Sequence, residues 1–357
     1  MRAALFRQHG GPEVMEVGDV PVPTPGPGEV QIRVTAAALN HIDLWLRQGL
    51  PALHVALPHV SGGDVCGVVS ELGAGVAARA GAAVGDRVLV NPGLSCGRCV
   101  ACLSGRDNFC PDYRMLGEQV WGGEAEYLVV PAQNLVPAPR DRIPLDDAQL
   151  AALPISFVTA WQMLVDRAQI RQGETVLVLA AGSGVGTAAI QIAKLYGARV
   201  IATASTDAKL AAARDLGADE TINHTTTELV AEVKRLTARR GVDIVVEHVG
   251  AATFPKSVVA CAKGGRIVTC GATAGFEPVL NLRHLFWRQL SILGSTMASK
   301  GRLFEVLDLV AAGRLRPVVH RVLPLEDIAA AHEQGDVWRL PRLQLTAREG
   351  CDLPIGV

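Results

Sequence analysis

Aromatic side chains are scarce: Phe, Tyr and Trp make only 4% of the 357 residues. That argues against stacking platforms for single-stranded nucleic acid, which need a face of rings. An excess of one charge is lacking too. The net charge is −1, so no basic surface for nucleic acid or anionic membranes is expected. No run of eighteen apolar residues occurs, so no membrane span is expected. The opening MRAALFRQHGG has neither a long apolar segment nor a small-residue cleavage site. No signal peptide is read there, and a cytoplasmic location is expected. Low-complexity tracts and short repeats are absent as well. Hydrophobic residues make 49% of the chain, enough for large cores, and the length suits two domains.

Cysteine is not abundant, but half of it is concentrated. Cys96, Cys99, Cys102 and Cys110 follow the spacing C-x2-C-x2-C-x7-C. Four thiolates this close can surround one Zn²⁺ tetrahedrally. Four protein sulfurs leave no open position for water or substrate, so the expected metal is a single structural zinc. The alternative, two disulfides, belongs to oxidising compartments. Cys66, Cys261 and Cys270 stand alone in apolar or Gly-rich surroundings and read as small core residues.

Residues 1 to about 150 read as short strands separated by Gly and Pro, with a proline-rich bend at Pro21, Pro23, Pro25 and Pro27. EVQIRVTAAAL alternates as a half-buried strand does, GDRVLVNPG is a second strand, and EAEYLVVPAQNLVPAP looks like a hairpin. The pattern changes near residue 155. TVLVLAAGSGVGTAAIQIAKLYGARVIATAS reads strand, Gly-rich turn, helix, strand. Further strands follow at DIVVEHV, GRIVTCG and LSILGS. Such alternation implies a doubly wound parallel sheet, an α/β fold. KGRLFEVLDLVAAGRL is an amphipathic helix, expected to lead back to the first domain.

Gly182-Ser183-Gly184-Val185-Gly186 lies between strand and helix. Glycines there let backbone approach a pyrophosphate, and the helix N-terminus faces its charge. A strict G-x-G-x-x-G from Gly182 ends on Thr187. Small residues at Ala180, Ser183 and Gly186 fit an alternative register. At the end of the next strand, a free ribose 2′-OH would prefer an acidic residue. The chain instead has Ala204-Ser205-Thr206, then Asp207 and Lys209. Ser205 and Lys209 suit a 2′-phosphate, which favours NADP(H) over NAD(H).

Together these pieces resemble the medium-chain dehydrogenase/reductase superfamily, over residues 1 to about 335. The resemblance implies a GroES-like β-rich domain at 1–155 with a zinc lobe at about 91–115. It further implies a Rossmann domain at 156–294, and a return to the first domain at 295–357. The cysteine lobe looks like the structural zinc lobe of the family's alcohol dehydrogenases. The catalytic zinc ligands do not carry over: Asn40, Gly63 and Ile155 stand in their places. Asn40-x-x-Asp43 and Gly62-x-Asp64 look like the quinone oxidoreductases of the superfamily, which move hydride without metal. The resemblance implies Asn40 and Asp43 as catalytic candidates. Asn40 would donate to the substrate oxygen or orient water, or cap the helix at HIDLWL. Asp43 and Asp64 suit structural acceptors better than general bases. Cofactor contacts are expected from His41, Thr159, His224, Gly250 and Gly271 besides the glycine turn.

The leading expectation is hydride transfer from NAD(P)H to a quinone, enone or similar carbonyl, since such acceptors need no Lewis acid. The alternatives are a zinc alcohol dehydrogenase with relocated ligands (His41, His59 or Asp64) and a non-enzymatic cofactor-binding protein. Expected partners are a small-molecule substrate and a second copy, as homodimer or homotetramer. RQLSILGS would be the pairing edge. The tail HEQGDVWRLPRLQLTAREGCDLPIGV departs from the family pattern. A displaced reading frame would produce it, and the last strand of the first domain is then expected to be missing or poorly ordered.

Overall fold

EVQIRVTAAA becomes the strand Glu29–Ala38 inside a seven-stranded sheet. The structure, a computed structural model, describes residues 1–50, 53–76, 83–336 and 343–346. Chain contacts divide it into two units. The first comprises Met1–Cys96, Pro111–Pro154 and the chain from Val319 onward; the second comprises Gly97–Cys110 and Ile155–Val318.

In the first unit Glu29–Ala38 pairs antiparallel with Asp64–Leu72, which pairs with Arg87–Val90. Val30, Ile32, Val65, Val69, Val88 and Val90 form one buried cluster there, as alternate residues of neighbouring strands do. The hairpin expected in EAEYLVVPAQNLVPAP does not form. Tyr127–Pro131 pairs with Glu29–Ala38, and Leu135–Pro137 pairs with Arg87–Val90. The intervening residues form a 3-10 turn, Ala132–Asn134, that sends the second strand to a different neighbour. The strand expected to be lost from the tail is present in short form. Leu343–Thr346 pairs parallel with Arg321–Pro324 and antiparallel with Glu29–Ala38. Pro341 and the chain after 346 lie outside the described residues.

The second unit holds a six-stranded parallel sheet. Its order is Glu220–Asn223, Arg199–Ala204, Thr175–Val178, Val242–Glu247, Cys261–Thr269, Ser291–Gly294. Leu177, Ile201, Val245 and Ile267 bury one cluster with Leu229, Val233 and Val258. This is the expected doubly wound α/β fold, and the strand order reverses between Thr175–Val178 and Val242–Glu247. Contacts keep the chain in this unit until Val318 rather than releasing it at 295. Among the bonds that hold it, Arg302 pairs with Asp166 at 2.5 Å, and Arg316 N–H donates to Gln191 Oε1 at 2.9 Å.

Candidate functional site

The Gly-rich turn opens the helix Gly184–Leu195, with Ser183 as N-cap. Ser183 Oγ accepts from Gly186 N–H at 2.9 Å. First-turn amides have no intrahelical partner, so this end suits an anion. A Cβ on Gly186 would lie 2.5 Å from Ala180 O and 2.8 Å from Ala181 Cα. The turn therefore follows the register Ala180, Ser183, Gly186. Gly250 and Gly271 lie beyond the Val242–Glu247 and Cys261–Thr269 strands, on the same carboxyl edge. Thr159 sits in the helix Pro154–Trp161 and is buried, with its hydroxyl 3.7 Å from Met297 Sδ.

After the second strand of this sheet Ser205 is half-buried and Thr206 caps the helix Asp207–Asp215. The Lys209 stem packs against Gly182, 3.0 Å from where a Cβ would stand. Burial lowers the Lys209 pKa. His224 is lowered as well, first by burial and then by the charges of Lys209 and Lys256. A basic group thus gathers here, and Lys256 is a member that no motif marked. Asp207 is engaged by Asn223, whose amide donates to it at 3.3 Å.

In the first unit Asn40 is the N-cap of His41–Gln48 and forms a capping box with Asp43. Asn40 Nδ2 donates to Ala38 O at 3.2 Å and Asp64 Oδ2 at 3.0 Å. The buried Asp43 accepts from Asn40 N–H at 2.7 Å and Gly62 N–H at 3.1 Å. Asp43 therefore holds two loops together, as an acceptor. Gly62 has φ +98°, and a Cβ there would meet Glu124 Cγ at 2.7 Å, so glycine is required. Glu124, which sequence reasoning missed, accepts from Ser61 Oγ at 2.8 Å. Burial, then the charge of Asp43, raises its pKa well above the usual carboxylate range. His332 lies 4.0 Å from Glu124 and is wholly buried. Burial, then the charge of Arg47, pushes its pKa down to about 3. His41 packs edge-on against Trp45 in this unit, apart from the nucleotide turn in the chain's division. A cavity of about 880 Å³ also opens in the first unit, lined by Tyr113, Trp121, Tyr127 and Cys96 among others. Neither Asn40 nor Asp43 lines it.

The sulfurs of Cys96, Cys99, Cys102 and Cys110 all lie within 4.8 Å of one another. A tetrahedral Zn²⁺ with bonds of ~2.3 Å needs sulfur separations of roughly 3.8 Å, so the donor set fits zinc. Among the described residues no other group of His, Cys, Asp and Glu has metal-holding geometry. His59 is committed elsewhere, with Nε2 3.0 Å from Gly117 O. Burial pushes the thiols of Cys66, Cys261 and Cys270 up to about 12. Among the described residues no helix is long and apolar enough to cross a membrane.

Comparison with known proteins adds the following. Residues 26–140 match the family described as alcohol dehydrogenase GroES-like domain, and residues 184–312 match zinc-binding dehydrogenase. A quinone oxidoreductase of Homo sapiens is 31% identical over 341 residues, covering 93% of each chain. An NAD-dependent alcohol dehydrogenase of Sulfolobus acidocaldarius is 32% identical over 337 residues, 92% of this chain and 94% of that one. A crystal structure of an NAD-dependent alcohol dehydrogenase superposes with TM-score 0.92 at 53% identity, covering 98% of this chain and all of the other.

Proposed function

Because the chain belongs to the medium-chain dehydrogenase/reductase superfamily of oxidoreductases, we propose that it delivers hydride to a quinone, an enone or a similar carbonyl. One observation carries this reading: the nucleotide turn is complete, while Asn40, Gly63 and Ile155 occupy the positions of a catalytic zinc's ligands. The nicotinamide nucleotide, when bound, supplies the hydride, and a proton from solvent completes the reduction.

The turn at 182–186, with Ser183 as its cap, holds the pyrophosphate, and Thr159, Gly250 and Gly271 border the nucleotide. Ser205, Lys209 and His224, with Lys256, favour a 2′-phosphate and hence NADP(H). His41 remains a candidate phosphate contact. Asn40 faces the acceptor oxygen, exchanging its hydrogen bond to Asp64 for one to the developing oxyanion. Asp43 positions Asn40 and the Gly62 loop. One zinc occupies the cysteine lobe and takes no part in the chemistry. Thiols at the tetrad favour a reducing, cytoplasmic setting. A second copy is the natural partner. Phe276, Val279, Leu282, Phe286 and Trp287 are exposed in the segment that precedes Ser291–Gly294, the last strand of its sheet.

A second reading, oxidation of alcohols with NAD, is favoured by the likeness to the 53% identical structure of an NAD-dependent alcohol dehydrogenase. NADPH and NADH oxidation against quinones, enones and aldehydes, with alcohols assayed in reverse and zinc counted on the same sample, separates the two. The proposal expects quinone or enone turnover with NADPH, one zinc per chain, and a fall of ~10–100-fold in kcat for Asn40→Ala. Two zincs per chain, with alcohol oxidation abolished by chelators, would overturn it.

A further inference from the structure

His248 directly follows the strand Val242–Glu247, which lies beside Thr175–Val178 at the point where the sheet order reverses. Ligands of open parallel sheets bind outside the carboxyl ends of strands at such points. The His248 side belongs to no motif in the glycine pattern, yet the residue is only 6% exposed. Its Nε2 lies 3.2 Å from Ser183 Oγ. The backbone around it is held firmly. Thr273 donates to His248 O through both N–H and Oγ1, at 3.3 and 3.2 Å. The preceding Glu247 is buried and accepts from Val249 N–H, Gly250 N–H, Thr253 Oγ1 and Ser257 Oγ.

A hydroxyl has one proton to give and two lone pairs to receive. One lone pair of Ser183 Oγ already takes Gly186 N–H. We propose that His248 is a positioning residue for the phosphate turn, donating Nε2–H to the second lone pair. The Ser183 proton is then turned outward, toward a pyrophosphate oxygen of the nucleotide. In the other tautomer Ser183 would donate to Nε2 and present only lone pairs to an anion. The inference rests on the nucleotide reading above, and it deepens that reading by assigning the group that sets the direction of the cap's hydroxyl.

The test is a set of titrations on the full chain with NADPH, ADP-ribose and adenosine 2′-monophosphate. His248→Ala should weaken NADPH and ADP-ribose about tenfold, one good hydrogen bond's worth. KM for NADPH should rise equally, with kcat changed less than twofold. Adenosine 2′-monophosphate lacks the pyrophosphate and should bind as before, which a general loosening of the unit would not allow. His248→Gln, whose amide can donate from a similar place, should recover most of the loss. His248→Ala combined with Ser183→Ala should bind no worse than Ser183→Ala alone. In ¹⁵N-histidine spectra the His248 Nε2 should carry the proton.

NADPH affinity of His248→Ala within twofold of wild type would overturn the proposal, as would additive losses in the double variant. Equal weakening of adenosine 2′-monophosphate would also overturn it. A wild-type chain that binds neither NADPH nor NADH would instead overturn the nucleotide reading itself.

Discussion

Gly186 marks the closest approach of helix to strand in the nucleotide turn. With Ala180 O only 2.5 Å from a Cβ placed there, Gly186→Ala must displace the backbone. It should cost ~1–3 kcal/mol of stability and abolish NADPH binding, read by urea unfolding and by titration. This residue was legible in the sequence because the turn that needs it is contiguous. The Glu124–His332 pair was not, since its members are far apart in the chain and meet only through tertiary packing. The pair also has a pH signature. Burial raises Glu124, so it contributes stability below its unfolded pKa that is lost as pH rises, whereas His332, lowered to about 3, contributes stability above its unfolded pKa that is lost as pH falls toward 3. The two contributions have opposite slopes and oppose one another where both groups are shifted. Below 4.5 the unfolded chain holds one more proton until about pH 3, and stability falls as pH drops. Each slope approaches about 1.4 kcal/mol per pH unit. His332→Gln should make stability decline with rising pH from 4.5 onward, and Glu124→Gln should make it decline with falling pH from 6.5. Melting curves of the three proteins across pH check this, and the differences cancel His59 and His224. Parallel pH profiles would refute the pairing.

At the scale of elements, the strand–turn–helix–strand run at 175–204 was readable because its partners are sequence neighbours joined by short turns. The false hairpin at 124–139 shows the opposite case. Two adjacent strands with suitable alternation took different partners, and nothing local in them records that choice. The cysteine lobe was also legible from spacing, but its attachment was not. Asp107 accepts from Lys300 N–H and Lys300 Nζ, both at 3.0 Å, ahead of the helix Gly301–Ala311. Asp107→Asn should therefore cost about 2 kcal/mol while zinc stays at one per chain. Cys96→Ser should lower the zinc content itself. Denaturation and metal analysis on the same samples distinguish anchoring from metal binding.

For the whole molecule, the two-part organisation followed from the switch between strand-rich and alternating patterns. The end of the second unit did not, because an amphipathic helix such as Gly301–Ala311 does not say which core receives its apolar stripe. The exposed apolar residues between Phe276 and Trp287, with Trp287 76% exposed, belong to this scale as well. Exposed apolar side chains in the segment leading into an edge strand suit a protein interface, as proposed above. Sedimentation should find a dimer or larger assembly, and Trp287→Asp with Phe286→Ser should shift it toward monomer with the fold's circular dichroism retained. An assembly unchanged by both substitutions would place the interface elsewhere. One further consequence follows from the buried thiols. Quinones and enones alkylate thiolates, and a thiol held near 12 is almost wholly protonated at neutral pH. Cys66, Cys261 and Cys270 are thereby chemically silent toward such acceptors, and thiolates bound to zinc would be shielded in their own way. If the proposed reduction of quinones or enones holds, these three buried thiols would not be consumed by the substrate.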